Sequence, residues 1–457
     1  MKIDYTLSAE KLLPKLYRVF ELSAGKILSI EKTWKPSNGT PVFTVKGRYT
    51  SRGWTEWTQG FQFGSALLQF DATNEKGFLK LGRDNTFAVM APHVSHMGVH
   101  DHGFNNISTY GNLWRLMREK RIPFHEREQD FYELALKISG AVQAARWTAT
   151  EDGKGYIYSF NGPHSLFVDT LRSLRSLAVA HQLGHVLLGE CDRRISLLQR
   201  LVDHAELTSR FNIYYGKGRD VYDERGRTAH EAIFNPNDGR FRCPSTQQGY
   251  SPFSTWMRGL AWALLGYAEQ LEFLQNLRSH KSIKSLPSFF AKAARATADF
   301  YIAHSCADGI PMWDAGAPAL DRLGDYLGKP ANPFNDFEPV DSSAAAIAAQ
   351  GLIRLGNSLM AEGEEKPGER YRQAGLSVAA VLFDEPYLAS KTQHQGLLLH
   401  SVYHRPNGWD YITPGQKVPN GESSMWGDYH ARELALLILR EARGKPDLLF
   451  FDPAVRI

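Results

Sequence analysis

Ser254–Leu277 reads STWMRGLAWALLGYAEQLEFLQNL, and this stretch decides the fold. Apolar residues recur along it at three- and four-residue steps, as at Leu260, Leu264, Tyr267, Leu271 and Leu274, which is the period of an α-helix. A second periodic stretch, Leu286 to His304, follows and makes it one arm of a helical pair. The start of the first stretch also carries chemistry. Trp256 and Trp262 are rigid aromatic faces able to stack on a sugar ring, and Arg258 carries a planar, permanently charged fork suited to a carboxylate. The competing reading keeps both tryptophans as packing residues and Arg258 in a salt bridge.

Outward from this pair the same period dominates. Helices are predicted over Ala9 to Leu22, Gly60 to Phe70, Asn106 to Glu119, Asp130 to Trp147, Leu166 to Leu183 and Cys191 to Phe211. Others are predicted over Ser342 to Leu355, Gly368 to Leu382, Gln395 to Val402 and Tyr429 to Glu441. The helices come two by two, about six hairpins in all, and long loops rich in Gly, Pro, Asn and Asp separate them. Six hairpins can close into a double-layered ring, an all-α fold in which inner-helix ends converge on one mouth. No linker splits the chain, so residues 1–457 are expected to form a single domain. Residues 25–58 alternate weakly and read as an extended N-terminal arm or a short hairpin.

The chain has 457 residues, 43% hydrophobic and 22% charged, an ordinary globular balance. A net charge of +4 without a basic run argues against nucleic acid. The three cysteines, Cys191, Cys243 and Cys306, are far apart and suggest neither a disulfide framework nor a zinc site. No apolar run is long enough to span a membrane, and Met1 to Leu16 offers no signal-peptide core, so a cytoplasmic location is expected. The sequence allows a homodimer without requiring one.

Six segments stand out. In His100-Asp101-His102-Gly103-Phe104, Asp101 is either a functional carboxylate or a helix cap. Asp169 sits among Leu166, Phe167, Val168 and Leu171; burial would raise its pKa as a proton donor needs, whereas an exposed face would pair it with Arg172. His230 lies ahead of a turn-rich loop and could meet a sugar hydroxyl or merely be solvated. Gln247-Gln248-Gly249-Tyr250 runs into the tryptophan segment, Asp341-Ser342-Ser343 reads as a helix cap, and Trp426 sits in an aromatic loop before the last helix. His93, His96, His100 and His102 are dense but lack a convincing metal-ligand spacing.

Read in order, these segments resemble the unsaturated glucuronyl hydrolases, glycoside hydrolase family 88, and their relatives in family 105. The resemblance is carried by Trp57-Thr58-Gln59-Gly60-Phe61, His100 to Phe104, Val168-Asp169, Gln247 to Tyr250, Ser254 to Trp262, Asp341 to Ala344 and Trp426 to Tyr429. Five positions depart from the family pattern: Gln247 replaces a histidine, Leu260 a glutamine, Ser173 an asparagine, and Pro252-Phe253 a polar pair.

The resemblance implies an (α/α)6 barrel that removes a 4,5-unsaturated uronic acid from the non-reducing end of lyase-generated oligosaccharides. Asp169 would donate a proton and then activate water. Asp101 would hold sugar hydroxyls and keep the pKa of Asp169 high by like-charge repulsion. Arg258 and Gln248 would address the substrate carboxylate; Trp57, Trp256, Trp262 and Trp426 would wall the sugar; His230 would contact a hydroxyl or the water. No metal or organic cofactor is implied. The alternatives are another sugar-active enzyme on the same barrel, such as a saturated-uronide glycosidase or an epimerase, and a non-catalytic glycan-binding protein.

Overall fold

The computed structural model describes residues 1–53 and 56–454. Twelve helical segments among them build two concentric layers. They are α1 (Leu13–Thr33), α2 (Gln59–Thr73), α3 (Lys76–Val89), the composite α4, α5 (Glu126–Ala145), the composite α6, α7 (Leu197–Phe211), α8 (Met257–Ser279), α9 (Phe289–His304), α10 (Ser342–Ala361), α11 (Glu365–Leu382) and α12 (Met425–Ala442). The composite α4 joins His102–Asn106 to Asn112–Arg118 through a π-helical turn at Ile107–Gly111, and α6 joins Thr170–Ser173 to Arg175–Gln182.

The even-numbered helices form the inner layer. Each touches the next, α2 on α4, α4 on α6, α6 on α8, α8 on α10, α10 on α12, and α12 back on α2, so the ring closes as an (α/α)6 barrel. Burial explains the layering. Nearly every residue of α8, α10 and α12 is buried, as expected of helices surrounded on all sides. The outer helices bury one stripe only, such as Leu16, Val19, Phe20, Ile27 and Ile30 of α1. Successive helices alternate between layers, so all inner helices run in the same direction. Their N-terminal ends therefore share one mouth.

Several expectations change, among them the starts of the helices predicted from Leu166 and Cys191, which begin at Thr170 and Leu197. The predicted helix over Gln395 to Val402 is irregular extended chain: His400 has a φ of 67°, and Leu398 and Leu399 bridge to Leu388 and Ser423. Short apolar runs do not separate helix from buried strand by period alone. Conversely α3 was not predicted: its buried stripe, Phe78, Gly82 and Thr86 at four-residue steps, holds one large apolar residue beside a glycine and a threonine. The segment 25–58 follows the hairpin reading and not the extended arm, with residues 54–55 outside the described ones. Its first part continues α1 to Thr33, and Phe43–Val45 (β1) pairs antiparallel with Arg48–Thr50 (β2) in a hairpin turning at Lys46 and Gly47, both with positive φ. Thr44 N donates to Ser423 O at 2.9 Å and Tyr49 Oη to Asp428 Oδ2 at 2.9 Å, which sews this hairpin to the start of α12.

Candidate active site

The mouth of the barrel is built from the starts of the inner helices. Asp101 is the N-cap residue of α4, Asp169 of α6, Trp256 of α8, Asp341 of α10, Ser424 of α12 and Thr58 of α2. Six helix N-termini point their positive dipole ends at one opening, a setting that favours an anion.

Asp341 and Ser424 cap with their side chains, as their positions suggest; Asp341 accepts from Ser343 N and Ala344 N. Asp101 and Asp169 do not cap, although both occupy the N-cap. The capping alternative for Asp101 therefore fails. So does the Arg172 alternative for Asp169: Arg172 turns into the barrel and pairs with Glu269 at 3.0 Å and Glu433 at 2.8 Å. Both aspartates are freed from structural work yet buried, 7% and 8% exposed.

Gly103 brings them together. A Cβ there would lie 2.2 Å from Ser173 O, so only glycine lets α4 and α6 approach this closely. Ser173 Oγ accepts from Gly103 N at 2.9 Å and from Gln143 Nε2 at 2.9 Å. Ser173, a departure from the family pattern, thus supports the helix contact.

Between the carboxylates lies His100. Its Nε2 is 3.4 Å from Asp169 Oδ1 and 3.8 Å from Asp101 Oδ1. The imidazole is 2% exposed, and Phe160 stacks on it while Phe167 meets it edge-on. Burial opposes its charge, but the two carboxylates outweigh this and raise its pKa above the ordinary histidine value. Burial pushes Asp101 up to about 6, His100 pulls it back, and the charge of Asp169 adds to the rise. Burial also opposes the charge of Asp169, yet His100, followed by His230, holds it below the usual carboxylate range. The expectation that Asp101 keeps the pKa of Asp169 high is corrected: the shifts run the other way, because His100 sits closer to Asp169. Sequence reasoning missed His100, although it adjoins Asp101 in the motif.

His230 is buried, and its Nδ1 accepts from Gln247 N at 3.0 Å and Gln248 N at 3.4 Å. An accepting Nδ1 places the proton of the neutral ring on Nε2, which has no partner. Burial lowers the pKa of His230 despite the nearby Asp169 charge, so the ring is a neutral donor.

Arg258 does not present a free fork. Its Nη1 donates to Asp341 Oδ2 and Val402 O, each at 2.5 Å, and its Nη2 to Tyr403 O at 2.6 Å and Gln248 Oε1 at 3.2 Å. The expected carboxylate clamp is thus corrected to a buried pillar, and Gln248 is left half-buried with its amide carbonyl fixed by Arg258. The tryptophans also divide. Trp256, Trp262 and Trp426 are 3%, 2% and 0% exposed, so they are packing residues and not open sugar platforms. Trp256 is wedged between His230 and Arg258, Trp262 packs on Phe104 and His430, and Trp426 donates to Ser343 Oγ at 3.0 Å. Trp57 alone of the four is half-buried, stacked on Trp426 with ring centroids 5.2 Å apart. The remaining departures are structural at Leu260, which is buried in the core, and peripheral at Phe253, which packs on Tyr222.

The dense histidines serve different partners. His102 contacts Ser139 Oγ and His96 O, and His93 contacts Asn105. Among the described residues no three His, Cys, Asp or Glu side chains converge as a metal site, and no helix is long and apolar enough to cross a membrane.

No family model matches the chain. The unsaturated glucuronyl hydrolase of Bacillus sp. strain GL1 is 24% identical over 408 residues, covering 87% of this chain and 90% of the relative. The unsaturated chondroitin disaccharide hydrolase of Streptococcus pyogenes serotype M1 is 23% identical over 413 residues, covering 88% and 86%. Among solved structures, an unsaturated glucuronyl hydrolase specific for heparin superposes with a TM-score of 0.71 at 21% identity, over 95% of this chain and 99% of the other. The Bacillus sp. GL1 enzyme gives 0.72 at 20% identity, over 96% and 100%. The chain is similar over most of its length to the unsaturated glucuronyl hydrolases and shares their fold.

Proposed function

We propose that the protein is a glycoside hydrolase that releases a 4,5-unsaturated uronic acid from the non-reducing end of lyase-generated oligosaccharides, with residues 1–457 acting as one catalytic domain. The observation that carries this reading is the Asp101–His100–Asp169 cluster, buried and uncapped at a mouth ringed by six helix N-termini. The N-termini favour a substrate carboxylate, and the cluster provides an acid–base group beside it. The similarity to enzymes named for this activity supports the same reading.

The chemistry follows from the substrate. The C4=C5 bond is a vinyl ether through the ring oxygen. Asp169 protonates C4, and positive charge develops at C5, shared with the ring oxygen. The carboxylate of Asp169 then takes a proton from water as its oxygen adds to C5. The resulting hemiketal opens and expels the remainder of the oligosaccharide. This needs one acid–base group, unlike direct displacement between two flanking carboxylates. Asp101 holds sugar hydroxyls, and the Nε2–H of His230 donates to a hydroxyl or to the water. Trp57 offers the aromatic face for the sugar, and Gln248, held by Arg258, reaches the substrate carboxylate.

A panel of unsaturated disaccharides made with different polysaccharide lyases tests the proposal. At least one should lose its alkene absorbance with the enzyme, and in D2O the product should gain deuterium at C4 of the uronic acid. Loss of no alkene across the panel would reject the activity.

A further inference from the structure

The resting site poses a difficulty for the reaction above, on which this inference rests. Asp169 must deliver a proton, yet its surroundings hold it as the anion. The proton needs a source within reach. His100 Nε2 and Asp169 Oδ1 face each other at 3.4 Å, both buried, and neither atom makes a hydrogen bond to any other group. At that distance the contact is an ion pair. Catalytic contacts of this kind are often long without substrate and tighten when it binds.

We propose that His100 is the proton reservoir of the site, passing its Nε2 proton to Asp169 when the substrate carboxylate enters and taking it back after water adds.

The steps balance. The imidazolium of His100 gives its Nε2 proton to the Asp169 carboxylate, leaving neutral imidazole and a carboxylic acid. The acid gives that proton to C4 and returns to carboxylate. Water adds its oxygen to C5 and its proton to Asp169, and Asp169 returns a proton to His100. One water is consumed and the pair regains its starting state. Entry of the anionic substrate raises the proton affinity of both groups, and a charge lying nearer Asp169 than His100 favours the first transfer.

The groups around His100 fit this task. Asp101 and Asp169 favour its charged form; the nearby buried guanidinium of Arg146 opposes it. His204 and His230 also face the cluster, but burial holds both below the ordinary histidine value, His204 at about 3, so neither competes for the proton. His204 Nδ1 is moreover occupied by Ile157 N at 3.0 Å, and His230 Nδ1 by the Gln247 and Gln248 amides. Phe160 and Phe167 hold the His100 ring in place without offering a hydrogen-bond acceptor. His100 acts through Asp169 and is a positioning residue in this scheme.

Two measurements test it. In protein labelled with 15N-histidine, the His100 ring should titrate above the ordinary value of about 6.5, and Asp169→Asn should lower its midpoint by about one unit or more. His100→Gln assigns the resonance. In kinetics, His100→Gln should lower kcat by about 10²-fold with little change in KM, and should remove the limb of the pH–rate profile that reports the reservoir. A His100 ring neutral down to pH 5 would overturn the proposal, as would a His100→Gln enzyme within a few-fold of parental kcat. Should His100→Gln misfold, the resonance whose midpoint falls in both Asp169→Asn and Asp101→Asn identifies His100, the histidine that contacts both carboxylates, so the question stays answerable. Should the parent consume no unsaturated uronide, the assigned reaction fails, while the titration still reports whether His100 and Asp169 share a proton.

Discussion

Arg258 Nη1 lies 2.5 Å from Asp341 Oδ2, both side chains almost fully buried, and this pair ties the first turn of α8 to the N-cap of α10. The same guanidinium holds the carbonyls of Val402 and Tyr403 and the side chain of Gln248. One cation thereby joins four segments of the mouth.

Removing either partner leaves an uncompensated buried charge. Asp341→Ala should cost about 3–5 kcal/mol of stability. Arg258→Lys keeps the charge but loses the fork, so melting temperature and kcat/KM should fall together as Gln248 is released. An unchanged melting temperature with a reduced kcat/KM would instead mean that the fork is free for the substrate.

Asp169→Asn should leave the fold intact, because the carboxylate makes no cap and no salt bridge to Arg172, and its ion-pair partner His100 can release its proton and become neutral. Turnover should drop by at least about 10²-fold, since the amide has no proton to transfer. Circular dichroism and kcat on one preparation check both halves; activity near the parental level would place the acid elsewhere.

Asp101 makes a prediction of the opposite kind. Its folded pKa is raised to about 6, so burial favours the neutral form. The stability that the neutral form confers is complete below the unfolded value near 3.8 and is lost as pH rises through about 6. Asp101→Asn, permanently neutral, should therefore match the parent near pH 3–4 and exceed it at neutral pH by on the order of 2–3 kcal/mol. Activity should fall severely. Urea unfolding across this range is the check, and a variant less stable than the parent at pH 7 would contradict the sign.

The two stacked tryptophans should separate binding from folding. Trp57→Ala removes a half-buried face and should chiefly raise KM. Trp426→Ala empties a fully buried site and should cost about 3–5 kcal/mol. Thermal unfolding beside KM distinguishes them; a raised KM without loss of stability in Trp426→Ala would return that ring to the sugar wall.

The ring was legible in the sequence where helices are apolar all round. The stretch Ser254 to Leu277 and the run after Asp341 announce α8 and α10, because inner helices must be buried on every side. The outer α3 was not legible, since its buried stripe, Phe78, Gly82 and Thr86, holds only one large apolar residue. Asp101 and Asp169 could be singled out, but the direction of their pKa shifts could not, because it depends on a 3.4 Å contact to His100 that spacing does not encode. For Arg258 the sequence left two readings, and only the position of Asp341 and of the 402–403 carbonyls decides between them. The tryptophans likewise show their chemistry in sequence but their burial only in the fold.

The central claim is hydration of a double bond, and a matched pair of substrates tests it most directly. An unsaturated disaccharide and its saturated counterpart, identical apart from the C4=C5 bond, are each incubated with the protein while alkene absorbance and new reducing ends are followed together. The account predicts that the unsaturated compound alone is cleaved, that absorbance falls in step with reducing-end release, and that Asp169→Asn suppresses both signals. Cleavage of the saturated compound at a comparable rate would show direct glycosidic displacement and contradict the account.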